Sequence, residues 1–184
     1  MDSTLACLAA WMPRQRWYAG KGRTPSLRLT AWWDVPAAED VRVRTFLVTD
    51  EGSLPPVLYQ IPVVARATET VDAPPDHIVG SPEPGTTFID GPFDPAYTGA
   101  LLALVTGGGT GRGPVATATG IPSGHTPVDM PRRAGVLTGE QSNTSIIYEA
   151  PTGRGIPIIC KVYRQLHAGL NPDIELPTAL ADAG

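Results

Sequence analysis

The 184-residue sequence is short of several things, and each shortage excludes a class of protein. It has two cysteines, Cys7 and Cys160, too few for a disulfide framework or a thiolate zinc site. No apolar stretch approaches the ~20 residues of a membrane span. Charged residues make up 17% of the chain, and a net charge of −4 leaves no cationic face for a general nucleic-acid binder. Lysine is the scarcest charge, since Lys21 and Lys161 are the only two among 14 basic residues. The three histidines, His77, His125 and His167, are far apart and lie in or near turn residues. They have no metal-ligand spacing and receive no catalytic role. Ser123-Gly124-His125 is not a nucleophile elbow, so nothing supports a hydrolase.

What is present is a hydrophobic content of 42%, enough for a buried core, beside 20 glycines and 20 prolines. That is nearly twice the usual share of these two residues, so turns and loops are many. Cys7 follows Leu5-Ala6, but without a cationic start or a long apolar run this is no signal peptide. The start reads as a short helix of a cytoplasmic protein, Thr4 to Trp11, stopped by Pro13.

The fold class expected is α+β. Leu27 to Val35 alternates apolar and polar residues, a strand pattern, and Val41–Thr49 and Val57–Val64 follow suit. Pro62 predicts an edge position or a bulge for the third strand, and Thr86–Ile89 adds a fourth. Strands in a row with short turns favour antiparallel pairing. Asp94-Pro95 then reads as an N-cap with proline in the first helical position, opening a helix that Gly107 ends and that packs on the sheet. Residues 1–105 thus form a first unit. From Thr106 to Met130 the Gly/Pro-rich composition predicts a linker or mobile loop. It has neither the Walker phosphate loop nor the dinucleotide fingerprint. Order returns in residues 131–184, with strands at Gly135–Leu137, Ser145–Glu149 and Ile156–Tyr163 and a helix start at Asn171-Pro172. Strand, polar loop, strand, turn, strand, helix is the plan of a kinase N-terminal lobe.

Lys161 stands in the middle of the apolar strand Ile158-Ile159-Cys160-Lys161-Val162-Tyr163, on one face with Ile159 and Tyr163. An ammonium there needs an anion or a route to solvent. Phosphate contact from an inward-facing Lys161 is one reading, a snorkelling side chain the other. Glu175 follows 14 residues later, where it serves either a helix first turn or an ion pair with Lys161. The loop Thr138 to Thr144, with Gly139, Gln141, Ser142, Asn143 and Thr144, can turn backbone N–H groups toward a phosphate, as it can make any hairpin. In Arg14-Gln15-Arg16-Trp17-Tyr18-Ala19-Gly20-Lys21-Gly22-Arg23 cations alternate with aromatics. The acidic balance argues against stacked nucleic acid, and the aromatics are expected in the core with the cations outside.

Trp11-Met12-Pro13-Arg14-Gln15-Arg16-Trp17-Tyr18-Ala19-Gly20-Lys21 resembles the start of actinobacterial maltokinases and the related glucosamine kinases. Gly139 to Ser145, Lys161-Val162-Tyr163-Arg164 and Asn171-Pro172-Asp173-Ile174-Glu175 look like the same family's N-lobe. The resemblance implies an N-terminal cap subdomain followed by a kinase fold of the aminoglycoside phosphotransferase type, in a cytoplasmic sugar kinase. It implies ATP with magnesium as donor and a sugar hydroxyl, of glucosamine or maltose, as acceptor. By position, the loop around Gln141 to Thr144 would cover the phosphates, Lys161 would contact the α- and β-phosphates, and Glu175 would orient Lys161. Pro177 departs from the pattern: a helix here either starts at Pro177 or is kinked. The catalytic aspartate and the magnesium ligands of the family belong to a C-lobe. The 184 residues alone are therefore expected to be inactive, the cap and N-lobe of an incomplete kinase. The other reading is a non-catalytic regulatory or interaction module that keeps the same two parts.

Overall fold

The computed structural model describes residues 2–38, 40–122, 133–137, 143–150, 157–167 and 169. The fold is α+β, with antiparallel pairing throughout the described strands. Helix α1 (Asp2–Trp11) leads into a short 3-10 turn, Met12–Arg14, that begins where Pro13 stops the α-helix. Strands β1 (Leu27–Val35), β2 (Arg42–Asp50) and β3 (Val57–Ala67) form an antiparallel meander, with one register shift in β1 between Leu29 and Ala31. A hairpin follows, β4 (Ile78–Glu83) and β5 (Thr86–Asp90), turning at Pro84-Gly85 with Gly85 at φ 78°. β4 has no alternation and is interrupted by Gly80, which is why the sequence reading passes over it.

Helix α2 (Pro95–Gly107) is built as its ends predict. The Asp94 carboxylate accepts from the Ala96 N–H at 2.8 Å, Pro95 opens the helix, and Gly108 closes it in the left-handed region at φ 64°. Arg66 adds a two-pronged ion pair to the same carboxylate, at 2.7 and 2.8 Å.

The expectation of a linker over 106–130 is corrected in its first part. β6 (Thr110–Arg112) and β7 (Thr117–Thr119) form a hairpin that extends the main sheet beyond β1. Its glycines serve close approach rather than mobility. A Cβ at Gly113 would collide with the Trp32 carbonyl, and one at Gly120 with that of Leu104.

Pro62 is likewise not at an edge. β3 is central, between β2 and β5, and Pro62 pairs with Thr45. The Gln60 N–H on the far side of β3 donates to the Arg164 carbonyl, and alternation aims the missing Pro62 donor the same way. There the flank of β3 changes partner: Gln165–Leu166 (β11) covers Leu58 and Tyr59, and β5 takes over from Val63. Pro62 sits in the gap between them.

A second, three-stranded sheet contains β8 (Ala134–Val136), β9 (Asn143–Tyr148) and β10 (Ile158–Tyr163). One core lies under α1, where Leu8, Trp11, Met12, Trp17 and Tyr18 meet Phe46, Val48, Tyr59, Ile61 and Val63. The other lies on the opposite side of the main sheet, where Val43, Val64, Tyr97 and Leu102 meet Ile146, Tyr148 and Val162 of the second sheet. The two sheets thus share a core, and β11 brings the chain back onto β3 directly after β10.

Candidate functional site

β9 and β10 are the elements on which the sequence places the chemistry. They pair with Lys161 opposite Ser145 and Val162 opposite Thr144. Alternation then separates two faces of the sheet. Val162, Ile146 and Tyr148 enter the shared core, while Lys161 and Ile159 point away from it, Ile159 being 59% exposed. Lys161 is therefore not inward-facing. The buried set on this strand is Val162 and, beyond it, Arg164. The ammonium emerges instead on the open face of the small sheet.

Of the expected phosphate-side residues, Asn143 and Thr144 open β9, one half-buried and the other buried. Gly139, Gln141, Ser142 and Glu175 lie outside the described residues. Thr144 is already engaged on its side chain: its Oγ1 accepts from Arg164 Nε at 2.9 Å.

Arg164 is the residue whose role the sequence reading missed. It is fully buried, and its Nη2 donates to both carboxylate oxygens of Asp90 at 2.8 Å. Its guanidinium also lies 5.1 Å from the centre of the Trp17 ring. Burial pushes the Asp90 carboxyl up from its ordinary value, with the Arg164 charge and, more weakly, His77 opposing. The neighbours of Arg164 reinforce the anchor: Gln60 Nε2 donates to the Tyr163 carbonyl at 3.1 Å, and Gln165 pairs with Tyr59. A signal was available, because the alternation that puts Val162 inside puts Arg164 there too.

The cluster Arg14 to Arg23 behaves as expected in outline. Trp17 and Tyr18 are buried, whereas Arg14, Arg16 and Lys21 are exposed. Arg23 goes further and pairs with the buried Asp50, which also accepts from Tyr18 Oη at 2.8 Å and from the backbone of Ser26 and Gly52, both at 3.1 Å.

Residues 11–94 match the family model of the maltokinase N-terminal cap domain. That segment is similar to the N-terminal cap of maltokinases. It begins at the Trp11 motif and ends at Asp94, the N-cap of α2. The cap contains Asp90, Trp17 and Gln60, while Arg164, Thr144 and Lys161 lie beyond it. The Asp90–Arg164 pair is thus an ionic tie between the cap and the sheet that carries Lys161, and it fixes the chain three residues past that lysine. A cap of this kind points to a maltokinase-like kinase. Among the described residues no His, Cys, Asp and Glu side chains gather as a metal centre, and no helix is long and apolar enough to cross a membrane.

Proposed function

We propose that the chain supplies the cap and the phosphate-side sheet of an ATP-dependent sugar kinase, with glucosamine or maltose as the leading acceptors. The observation that carries this reading is the placement of Lys161. The exposed Lys161 side chain stands mid-strand, on the face of a small antiparallel sheet that is turned away from the shared core, and that sheet is tied through Arg164 to the cap-like segment. A nucleotide fits the residues present in charge and in access: a compact cation at Lys161, and Asn143 and Thr144 at the end of a polar loop on the paired strand.

When bound, ATP supplies the phosphoryl group that the sugar hydroxyl receives. The work of this chain is positional and electrostatic. Lys161 holds the α- and β-phosphate oxygens, and the loop that ends at Asn143 and Thr144 covers the phosphates from the paired strand. The buried Arg164 anchor limits the freedom of β10, so the ammonium is held in place before the nucleotide arrives. Glu175 is assigned the orienting role toward Lys161. Magnesium ligands and the base for the acceptor hydroxyl are not assigned to any described residue.

The test is Lys161→Met, read in two ways. A folded variant is expected to lose roughly a hundredfold in kcat/KM toward the sugar, about 3 kcal/mol of transition-state stabilisation. It is also expected to bind a fluorescent ATP analogue more weakly. Lys161→Arg should impair too, because a planar fork does not reproduce a point contact. Near-normal turnover and nucleotide affinity in folded Lys161→Met would refute the assignment.

A further inference from the structure

A cleft of about 320 Å³ opens between the cap and the second sheet, and Lys161 is not among the residues that line it. Arg14, Arg16, Trp17, Asp76, His77, Asp90 and Phe93 line it from the cap, and Val136, Leu137, Asn143 and Thr144 from β8, β9 and the loop end. Asp90, Thr144 and Trp17, three groups that hold Arg164, are among its lining residues.

The charges of the cleft do not balance. Asp90 is neutralised by Arg164. That leaves Arg14 and Arg16, which have no carboxylate partner among the described residues, against Asp76 alone. Two guanidinium forks lining one cleft suit a phosphate dianion. The rest of the lining is of another kind. His77 and Phe93 stack on each other with ring centres 3.7 Å apart and planes 17° from parallel, and Phe93 and Leu137 remain partly exposed beside them. Such a wall takes the flat C–H face of a small ring. Asn143 and Asp76 offer an amide and a carboxylate to hydroxyl groups.

We propose that this cleft is a binding site for a phosphorylated monosaccharide, its phosphate on Arg14 and Arg16 and its ring against His77–Phe93. The volume is at the small end for ligand pockets, which suits a hexose phosphate and is too small for a nucleoside triphosphate. The site is separate from Lys161, which projects from the other face of the second sheet. It shares Asn143 and Thr144 with the phosphate-side loop of the kinase reading but makes no use of Lys161.

The experiment is calorimetric titration of the protein with glucose 6-phosphate, beside glucose and inorganic phosphate. Glucose 6-phosphate is expected to bind more tightly than either. The exposed pair Arg14→Gln/Arg16→Gln is expected to weaken it about tenfold or more without lowering the thermal midpoint. Phe93→Ala should weaken glucose 6-phosphate but leave inorganic phosphate unchanged. Lys161→Met should leave the affinity for glucose 6-phosphate intact, which separates this site from the nucleotide site. No binding up to about 10 mM, or equal binding of inorganic phosphate, would overturn the proposal. So would affinity that survives the double arginine variant or is lost in Lys161→Met.

Discussion

At the scale of single residues, buried charge decides more of this structure than the sequence pattern discloses. Asp50 is fully buried and collects five donor groups: Arg23, Tyr18 Oη, Ser53 Oγ and the backbone of Ser26 and Gly52. Burial pushes its carboxyl up, but the Arg23 and Tyr18 bonds and the two backbone N–H groups outweigh it and hold the group below its ordinary value. A carboxyl depressed in the folded state contributes stability above its unfolded value, near 3.9, and loses it as pH falls through the folded value. Stability is thus expected to be level near pH 5 and to fall with acid below about pH 4. Asp50→Asn should flatten that acid limb while lowering stability at pH 7 by about 2–3 kcal/mol, because the Arg23 charge is left unmatched. Urea titrations at a series of pH values check both parts; an unchanged acid limb in Asp50→Asn would assign it to other carboxylates. The aromatic cluster near Trp17 was legible because type and periodicity mark it, whereas residue type singled out Lys161 without showing which way it faces. The partners of Asp50, Asp90 and Arg164 were not, since they meet across 27 and 74 positions of chain and no local pattern encodes such a meeting.

At the scale of elements, the strands with clean alternation, β1 to β3, and the helix with an Asp-Pro start were readable almost to their ends. The failures share one cause: glycine and proline carry opposite meanings in different surroundings. In 106–130 they signal a linker by composition, yet Gly113 and Gly120 allow a hairpin and a helix end to meet other backbones. Pro62 signals an edge, yet it occupies the one place in a central strand where a donor has no acceptor opposite it. The two meanings can be separated by substitution. Gly113→Ala should destabilise the protein by about 2 kcal/mol or more, because the new methyl group strikes the rigid Trp32 carbonyl. Gly99→Ala, in the middle of α2 with open space around it, should instead stabilise by roughly 0.5–1 kcal/mol through helix propensity. Denaturant midpoints of the two variants measure this, and a neutral Gly113→Ala would mean that the hairpin is not held against β1.

At the scale of the whole molecule, the cap and the second sheet are built as one cooperative body. Three contacts join them, each of a different kind. Ile146, Tyr148 and Val162 complete the core formed by Val43, Val64, Tyr97 and Leu102. Tyr148 Oη donates to the Thr98 carbonyl of α2 at 2.7 Å, burying a hydrogen bond inside that core. Arg164 and β11 then fasten the chain to Asp90 and β3. Among the described residues the small sheet buries its apolar face against the main sheet and α2, so losing that contact would expose Ile146, Val162 and Tyr148 together, several kcal/mol of apolar burial. A three-stranded sheet of this size has little else to hold it. Its unfolding should therefore coincide with that of the cap. All four tryptophans, Trp11, Trp17, Trp32 and Trp33, lie in the cap, so their fluorescence reports that part alone. Hydrogen exchange of the β10 amides, followed by mass spectrometry through the same denaturant series, reports the other. A single midpoint for both signals is expected. Exchange of β10 at denaturant concentrations where the tryptophans are still native would show that the second sheet opens on its own, and the anchor at Arg164 would then not hold Lys161 in place ahead of the nucleotide.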